Sequence, residues 1–205
     1  ASARRIVLDI AAQHGATRAV KSKSMVSEEI ELNATLEARG IAVTETDLGE
    51  FIIQLAGEPP SHIVTPVIHK SKTAIRDLFV ERLGMPPTLD AQEMTTFARQ
   101  YLREIFLNAD LGISGGNFLI AETGTLALVT NEGNGRMVTT LPPVHVALVG
   151  IEKVVETFAD YTTLTQVLSR SATGQIMPVY THMINGPRRD GDGGGPEHVY
   201  VILVD

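Results

Sequence analysis

The chain has 205 residues, of which 43% are hydrophobic and 20% are charged, an ordinary composition for one globular domain with a single sizeable core. Acidic residues outnumber basic ones by 24 to 17, and no stripe of Lys and Arg stands out, so binding to nucleic acid is not expected. No apolar run is long enough to span a membrane and no export leader is visible, so we expect a cytoplasmic location. The sequence has no cysteine, which excludes disulfides, thiolate catalysis and cysteine-held iron or zinc within these residues.

The first half of the chain predicts helices that alternate with short strands. Apolar residues recur at helical spacing, and glycines or capping residues bound these runs. The predicted elements, in order, are a helix over 4–15, a strand over 17–20, one long helix over 24–40, a strand over 41–47, and helices over 71–84 and 90–110. The strand–helix–strand unit at the start predicts a parallel sheet with a right-handed crossover.

The second half predicts mainly strands and turns. The predicted strands cover 118–121, 125–130, 144–150 and 197–205, with a tight turn at Asn134–Gly135 and the longest helix over 151–172. Residues 186–197 are rich in Gly and Pro, which favours a flexible surface loop over a calcium site, because the third ligand and the terminal Glu of a calcium loop are missing. Together the elements predict a single α/β domain over residues 1–205, with a mixed sheet covered by helices on both sides.

The first candidate binding site is the run KSKS, which follows the first strand and precedes its helix. Loops that leave the carboxyl end of a parallel strand are where open α/β sheets bind ligands. Lys21 and Lys23 would supply positive charge, and Ser24 would supply a hydroxyl beside a helix N-terminus, which suits a phosphate or a carboxylate. The alternative is a solvated pair of lysines next to a capping serine.

The second candidate is the glycine-rich run ISGGNFLIAETGT. Its glycines have the wrong spacing for a dinucleotide-binding loop, and no Gly-Lys-Ser/Thr follows, so it is not a P-loop either. Gly115 and Gly116, with Ser114 before them, could expose backbone N–H groups to a ligand oxygen, and Asn117 adds a side-chain donor.

Glu122 lies in the same run, after an apolar strand and before a tight turn at Thr123–Gly124. A carboxylate in such a position can serve as a base, a nucleophile or a ligand anchor. The alternative is a glutamate at the end of a strand that only hydrogen-bonds the turn. Residue type alone does not decide between the two.

The third candidate is the run NEGNGR. Arg136 could bind a carboxylate through its two parallel N–H donors, with Asn134 beside it. Asn134–Gly135 is equally a strong turn signal. The histidines show no metal-ligand spacing, so no metal site is predicted, and His145 lies in a buried strand pattern, where a core histidine is the commoner case.

Four longer runs together resemble one family. They are KSKSMVSEEIELNATLEARGIAVTETDLGEFIIQL, HIVTPVIHKSK, ADLGISGGNFLIAETGTLALVTNEGNGRMVTTLPPVHVALVGIEKVV and THMINGPRRDG. These runs are similar to the lactate-utilisation iron–sulfur proteins of the B subunit type, whose core is called the LUD domain. The likeness covers nearly the whole chain.

The resemblance implies a Rossmann-like three-layer α/β core like that of the isomerase, deaminase and CoA-transferase superfamily, with a mixed, mostly parallel sheet. It also implies a role, together with two sister subunits, in an oxidoreductase complex that oxidises L-lactate to pyruvate. Members of the family continue into a ferredoxin-like segment whose Cys-x-x-Cys-x-x-Cys motifs hold iron–sulfur clusters for electron transport. This chain has no cysteine, so we expect a fragment that ends where that segment begins and that holds no cofactor itself.

Three hypotheses about function follow from the resemblance. The first is the core domain of the lactate-oxidising complex, which binds a small carboxylate or another anionic ligand through the candidate residues, with Glu122 as base or anchor. The second is a non-catalytic scaffold that docks the sister subunits. The third is an acyl or CoA transferase, because CoA-transferases of the superfamily carry a glutamate on a glycine-flanked turn, which Glu122 resembles only by analogy.

Overall fold

A computed structural model of the protein describes residues 2–62 and 65–205. Its helices are α1 (Ser2–Gln13), α2 (Met25–Glu29), α3 (Leu32–Glu37), α4 (Leu48–Ala56), α5 (Lys72–Leu83), α6 (Ala91–Leu107), α7 (Asn134–Thr140) and α8 (Phe158–Thr173). Its strands are β1 (Arg18–Lys21), β2 (Ala42–Glu45), β3 (Leu111–Ser114), β4 (Phe118–Ile120), β5 (Thr125–Thr130), β6 (Val144–Gly150), β7 (Val154–Val155), β8 (Tyr180–Ile184) and β9 (His198–Val204). None of the described helices is long and apolar enough to cross a membrane.

Five parallel strands form the central sheet, in the order β2-β1-β3-β6-β9. The predicted strand–helix–strand unit is confirmed, because β1 and β2 pair in parallel, with Lys21 opposite Glu45 at their carboxyl ends. β6 lies inside the sheet and is buried along its whole length, as expected for a strand covered on both faces. The carboxyl ends of all five strands therefore lie at the same edge of the sheet.

Helices cover both faces of this sheet. On one face, α1 and α3 pack against β3 and β6 in a core that includes Val7, Leu36, Ile113 and Val146. On the other face, α4, α6 and α7 pack against β1 in a core formed by Val20, Phe51, Leu102, Phe106 and Val138. The predicted fold class, α/β with a mostly parallel central sheet between helices, is confirmed.

Four other strands form a separate sheet, which the sequence pattern did not distinguish from the first. Its order is β7-β4-β5-β8, and β5 is antiparallel to both of its neighbours. It packs on the central sheet through Leu126, which contacts Ala147 and Val149 of β6. Its other face is covered by α8, where Tyr161 packs beside Phe118.

The single helix predicted over 24–40 is wrong, because the segment forms two short helices. Ile30 caps α2, and Glu31 adopts a left-handed conformation with a φ of 49° before α3 begins. That conformation is uncommon for residues other than glycine. The break lets Ser27 of α2 and Asn33 of α3 both hydrogen-bond side chains at the ends of β1 and β2.

The tight turn predicted at Asn134–Gly135 is also wrong, because these residues begin α7. Tertiary packing explains the difference. Val138 of α7 is fully buried, and its carbonyl approaches Gly112 of β3 so closely that a Cβ at Gly112 would lie 2.0 Å from the oxygen. Burial of the helix against β3 therefore overrides the local turn preference.

The long helix predicted from residue 151 begins only at Phe158. A 3₁₀ turn over Ile151–Lys153 comes first, and β7 then pairs with β4. Thr157 and Asp160 form a capping box that sets the start of α8, since their side chains satisfy the first free N–H groups. The longest helix is α6, with 17 residues, and the sequence pattern did not predict β8.

The segment predicted as a flexible loop, 186–197, contains no helix or strand. Arg188 forms an ion pair with Glu197, and its backbone N–H donates to the Pro196 carbonyl at 2.8 Å. The flexibility of this segment stays a prediction.

Candidate functional site

Two ion pairs occupy the sheet edge where β1 and β2 end. The first joins Lys21 Nζ to Glu45 Oε1 at 2.9 Å, and the Lys21 side chain is fully buried. The second joins Lys23 Nζ to Glu50 Oε1 at 3.2 Å, with 26% of the Lys23 side chain exposed. This is the kind of sheet edge at which open α/β proteins bind ligands.

The buried pair is held by side chains from α2 and α3. Lys21 Nζ donates to Ser27 Oγ at 3.1 Å, and Asn33 Nδ2 donates to Glu45 Oε1 at 2.6 Å. Ser24 caps α2 by accepting the Ser27 N–H at 3.3 Å, which is the capping role that the sequence left open. The charge of Lys21 is therefore matched inside the protein, and a ligand cannot reach it without rearrangement.

Some buried atoms of this network have no hydrogen-bond partner among the described residues. They are Glu45 Oε2 and Asn33 Oδ1, and the hydroxyl of Ser22 shares this property. A buried acceptor that lacks a donor costs about 1–3 kcal/mol. Part of the hydrogen-bonding capacity of this network is therefore not used by the described residues.

A cavity of about 150 Å³ lies beside the more exposed ion pair, and we refer to it as the polar cavity. Its lining residues are Met25, Glu28, Glu50, Pro60, Ser61 and His62. The first turns of α2 and α4 thus form two of its walls, and each contributes one carboxyl group.

Burial raises the pKa of both carboxyl groups in the polar cavity. At Glu28, the charges of Lys21 and Lys23 oppose this rise in pKa, while Glu45 adds to it. At Glu50, the negative charge of Glu28 adds to the effect of burial on the pKa, and the hydrogen bond from Lys23 opposes it. Both glutamates therefore hold a proton more readily than an exposed carboxyl group does.

The charge balance at this edge differs from the one expected from the sequence. The sequence suggested free positive charge at Lys21 and Lys23, whereas the structure pairs each lysine with a glutamate. Because Lys21 is enclosed, an anion that binds here has to compete with Glu50 for Lys23.

Only part of the third candidate run lies at the same edge. Asn134 Nδ2 donates to Thr46 Oγ1 at 3.3 Å, and Thr46 Oγ1 donates to the Lys21 carbonyl at 2.9 Å. Arg136 acts in another region, since burial and then the charge of Arg136 lower the pKa of His182 in β8. No described contact joins Arg136 to either ion pair.

The glycine-rich run is also only partly adjacent to this edge. Gly115 lies against Ser24, where a Cβ would meet the serine hydroxyl at 3.1 Å. Gly116 packs between the two sheets, where a Cβ would come within 2.5 Å of a leucine side chain. Asn117 Oδ1 accepts the Val129 N–H at 2.8 Å, so this oxygen is already used to hold β5.

Ser114 pairs with His145, and strand alternation places this pair on the sheet face opposite to Lys21. Ser114 Oγ lies 2.8 Å from His145 Nε2 and donates to the Gly115 carbonyl at 2.9 Å. Because a hydroxyl has one proton to donate, the serine accepts from the imidazole, and we assign the hydrogen to Nε2. Burial lowers the pKa of His145 to about 4, which agrees with the core histidine that the strand pattern favoured.

Glu122 is exposed on the turn between β4 and β5, and its Oε2 accepts the Phe158 N–H at 2.9 Å. That N–H belongs to the first residue of α8, where the helix dipole favours a carboxylate. In the same turn, Thr123 Oγ1 donates to Thr125 Oγ1 at 2.7 Å, and Gly124 has a φ of 65°. No described contact joins this turn to the polar cavity, so its role in ligand binding stays a prediction.

Sequence reasoning missed the acidic half of the site. Glu45 is the last residue of β2, as Lys21 is of β1, and the parallel register of these strands was the signal that could have paired them. Glu28 and Glu50 each lie in the first turn of a helix. Acidic residues are common there because of the helix dipole, so nothing in the sequence distinguished them.

Comparison with known proteins confirms the resemblance seen in the sequence. The LUD domain profile matches residues 1–204, and the chain therefore belongs to the LUD domain family. Lactate utilization protein B from Shouchella clausii is 48% identical over 204 residues, which cover 99% of this chain and 43% of that protein. The protein of the same name from Bacillus subtilis is 47% identical over 200 residues, which cover 97% of this chain and 42% of that protein.

Other similar proteins carry different names. The uncharacterized electron transport protein YkgF from Escherichia coli is 49% identical over 203 residues, which cover 99% of this chain and 43% of that protein. The chain thus spans less than half the length of these relatives. The crystal structure of a DUF162 family protein from Deinococcus radiodurans aligns over 98% of both chains at 16% identity, with a TM-score of 0.41, which is too low to support a further conclusion.

Proposed function

We propose that this chain is the LUD core of a lactate-utilisation protein of the B type, and that it contributes to the oxidation of L-lactate by binding a small anionic ligand. The observation that carries the proposal is the 48% identity, over 99% of the chain, to Lactate utilization protein B of Shouchella clausii. The ligand would bind in the polar cavity, where β1 and β2 end.

The size of the polar cavity supports a small metabolite. Its volume is about 150 Å³, and an engineered cavity of about this volume in another protein binds benzene, a molecule of about six non-hydrogen atoms. A hydroxy acid such as lactate is of similar size.

The more exposed ion pair supplies the chemistry for an anion. Lys23 would bind the ligand carboxylate, and the displaced Glu50 would take up a proton because burial raises its pKa. Glu28 in the same cavity would accept a hydrogen bond from a ligand hydroxyl. The buried pair of Lys21 and Glu45 would hold the strand ends in place without contacting the ligand.

Electron transfer is not assigned to these residues. Iron–sulfur clusters are implied for the full-length relatives, but this chain has no cysteine to hold one. Among the described residues, no group of three or more His, Asp and Glu side chains is placed to hold a metal ion. The domain would therefore bind the ligand, and another segment or subunit would supply the electron acceptor.

Calorimetric titration with L-lactate and with pyruvate tests the proposal. Lys23→Met should abolish binding, whereas Glu50→Gln should tighten it, because a neutral amide no longer competes with the ligand for Lys23. A thermal-shift assay gives a second readout, since a ligand that binds only the folded state adds about 2.7 kcal/mol at 100 times its Kd.

An exposed ion pair elsewhere provides matched controls for this titration. Lys153 Nζ and Glu152 Oε1 lie 3.5 Å apart on the surface, and Lys153→Met and Glu152→Gln should bind like the wild type. Failure of the wild-type protein to bind either compound, or weaker binding in Glu50→Gln, would contradict the proposal.

A scaffold that docks sister subunits is the second candidate, and one observation favours it. Large apolar side chains are exposed on β9 and before β8: Val201 at 41%, Leu203 at 49%, and Ile176 and Met177 at 74% each. Exposed apolar patches often mark protein interfaces. If the domain is a scaffold, we expect that neither L-lactate nor pyruvate binds to it. The double variant Val201→Asp and Leu203→Asp should then prevent assembly of the reconstituted complex without unfolding the domain.

The transferase hypothesis rests on Glu122 alone. Its carboxylate is exposed, but it is bonded to the N-terminus of α8 at Phe158. Hydroxylamine trapping of a glutamyl thioester after incubation with CoA esters, with the signal lost in Glu122→Gln, would support this hypothesis. A blank result with several CoA esters would count against it.

A further inference from the structure

A second cavity, which we call the apolar cavity, lies among the first turns of α4, α5 and α6. Its volume is about 220 Å³, and its lining shares no residue with the polar cavity. Ile52, Phe79 and Met94 form its floor and are 3%, 1% and 6% exposed. Leu48 and Ile75 add apolar walls. The interior is therefore built from hydrocarbon and thioether groups alone.

The rim of the apolar cavity carries a single charge. Lys72, the first residue of α5, is exposed and lies at this rim, and it forms no ion pair among the described residues. Thr95 Oγ1, also at the rim, donates to the Ala91 carbonyl at 2.7 Å. No carboxylate is found among the described residues that line the cavity. The ammonium group of Lys72 is thus the charged group at the entrance of the apolar cavity among the described lining residues.

The acidic groups at the start of α6 are engaged elsewhere. Asp90 Oδ1 accepts the N–H groups of Gln92 and Glu93 at 2.8 and 3.0 Å. Glu93 Oε2 accepts the hydroxyl proton of Thr88 at 2.6 Å. Because both carboxylates are tied to the helix start and its preceding loop, they leave the ammonium group of Lys72 available to an anion.

We propose that the apolar cavity binds a small amphipathic carboxylate, with its hydrocarbon chain on the buried floor and its carboxylate at Lys72. An engineered apolar cavity of about 150 Å³ in another protein binds benzene. By that measure, 220 Å³ accommodates about six to nine carbon atoms. Burial of the chain removes apolar surface of both partners from water, and the lysine favours an acid over an alcohol of the same length. This ligand differs from the small hydroxy acid proposed for the polar cavity.

Titration calorimetry with acetate, butanoate, hexanoate and octanoate tests the proposal, with 1-hexanol as the uncharged counterpart of hexanoate. The affinity should rise by about fourfold for each added methylene group, as expected for burial of hydrocarbon. It should level off once the chain fills the cavity, at about eight carbons. Hexanoate should bind more tightly than 1-hexanol by up to about fivefold, which is the range of an exposed ion pair.

Two variants locate the site. Lys72→Met should remove the preference for hexanoate over 1-hexanol and leave the affinity for 1-hexanol unchanged, whereas Lys153→Met, at another exposed lysine, should change neither. Ala91→Phe places a ring at the mouth of the cavity and should abolish binding of both compounds. Ala172→Phe makes the same change at an exposed alanine of α8 and should bind like the wild type.

Three results would overturn the proposal. They are the absence of saturable hexanoate binding, an affinity for 1-hexanol equal to or above that for hexanoate, and hexanoate binding that persists in Ala91→Phe. Lys23→Met separates the two proposed sites, because it should abolish lactate binding in the polar cavity and leave hexanoate binding intact.

Discussion

Two lysine–glutamate pairs lie at one sheet edge and differ in the burial of the lysine. The Lys21 side chain is fully buried and 26% of the Lys23 side chain is exposed, whereas the partner glutamates, Glu45 and Glu50, are 7% and 6% exposed. Removing the cation of a fully buried pair is costly because the remaining charge stays without solvent, and the contact of Lys23 with solvent lowers that cost. The difference teaches that the same two kinds of side chain can enclose the cation completely at a strand end and leave it partly open to solvent two residues further on.

The largest effect should come from breaking the buried pair. Lys21→Met leaves the Glu45 carboxylate buried without its cation and should lower the free energy of unfolding by about 3–5 kcal/mol. Urea denaturation followed by circular dichroism measures it. The double variant with Glu45→Met should recover most of the loss, since an apolar pair replaces both ions. A loss below about 1 kcal/mol in the single variant would show that the pair behaves like an exposed one.

His145 extends the comparison to a buried ionisable group with no counter-ion. Burial lowers its pKa to about 4, from an ordinary value of 6.5. Between these pH values the unfolded chain binds more protons than the folded protein, so stability falls as the pH falls through this interval. The loss attributable to His145 should approach about 3 kcal/mol near pH 4.

The difference in the free energy of unfolding between the wild type and His145→Leu isolates this contribution. As the pH falls from about 6.5 to about 5, the wild type should lose stability relative to His145→Leu. Parallel curves for the two proteins would mean that His145 titrates in the fold as it does in water.

Removing the partly exposed cation should have a smaller effect on stability. Lys23→Met should lower the free energy of unfolding by less than Lys21→Met does, because solvent reaches Lys23 and the raised pKa lets Glu50 take up a proton. The same denaturation assay used for Lys21→Met measures it. A loss as large as that of Lys21→Met would remove the distinction between the two pairs.

The smallest effect concerns the pH dependence of Glu50. Because burial raises its pKa above the ordinary 4.5, the folded protein holds a proton that the unfolded chain releases, and the contribution of Glu50 to stability falls as the pH rises through the interval above 4.5. Glu28, Glu45 and Lys23 face this carboxyl group, and Glu28 titrates in the same direction.

Glu50→Gln removes one of these two titrating groups. Its free energy of unfolding should therefore rise relative to that of the wild type as the pH rises from about 4.5 to about 7. Glu152→Gln, which changes an exposed carboxyl group, should run parallel to the wild type. If Glu50→Gln also runs parallel, Glu50 is not perturbed by burial.

The sequence by itself determined the elements that rest on local signals. Apolar periodicity and end signals located α5 between Ser71 and Gly84 and placed the start of α6 at Asp90, and the β-branched run over 144–150 located β6. The strand–helix–strand order predicted the parallel pairing of β1 with β2. The four longer sequence runs identified the resemblance to the LUD domain family. These features depend on residues a few positions apart, whose interactions do not change with the rest of the fold.

Only the tertiary structure decided which charges meet. Lys21 and Lys23 were visible in the sequence as cations, but Glu45 and Glu50 became their partners through the register of β1 with β2 and the placement of α4. Packing likewise made a helix of Asn134–Gly135, where the local signal predicted a turn. The physical reason is the same in both cases: burial and electrostatic pairing depend on distances through space, and residues far apart in the chain set those distances only when the whole core is packed.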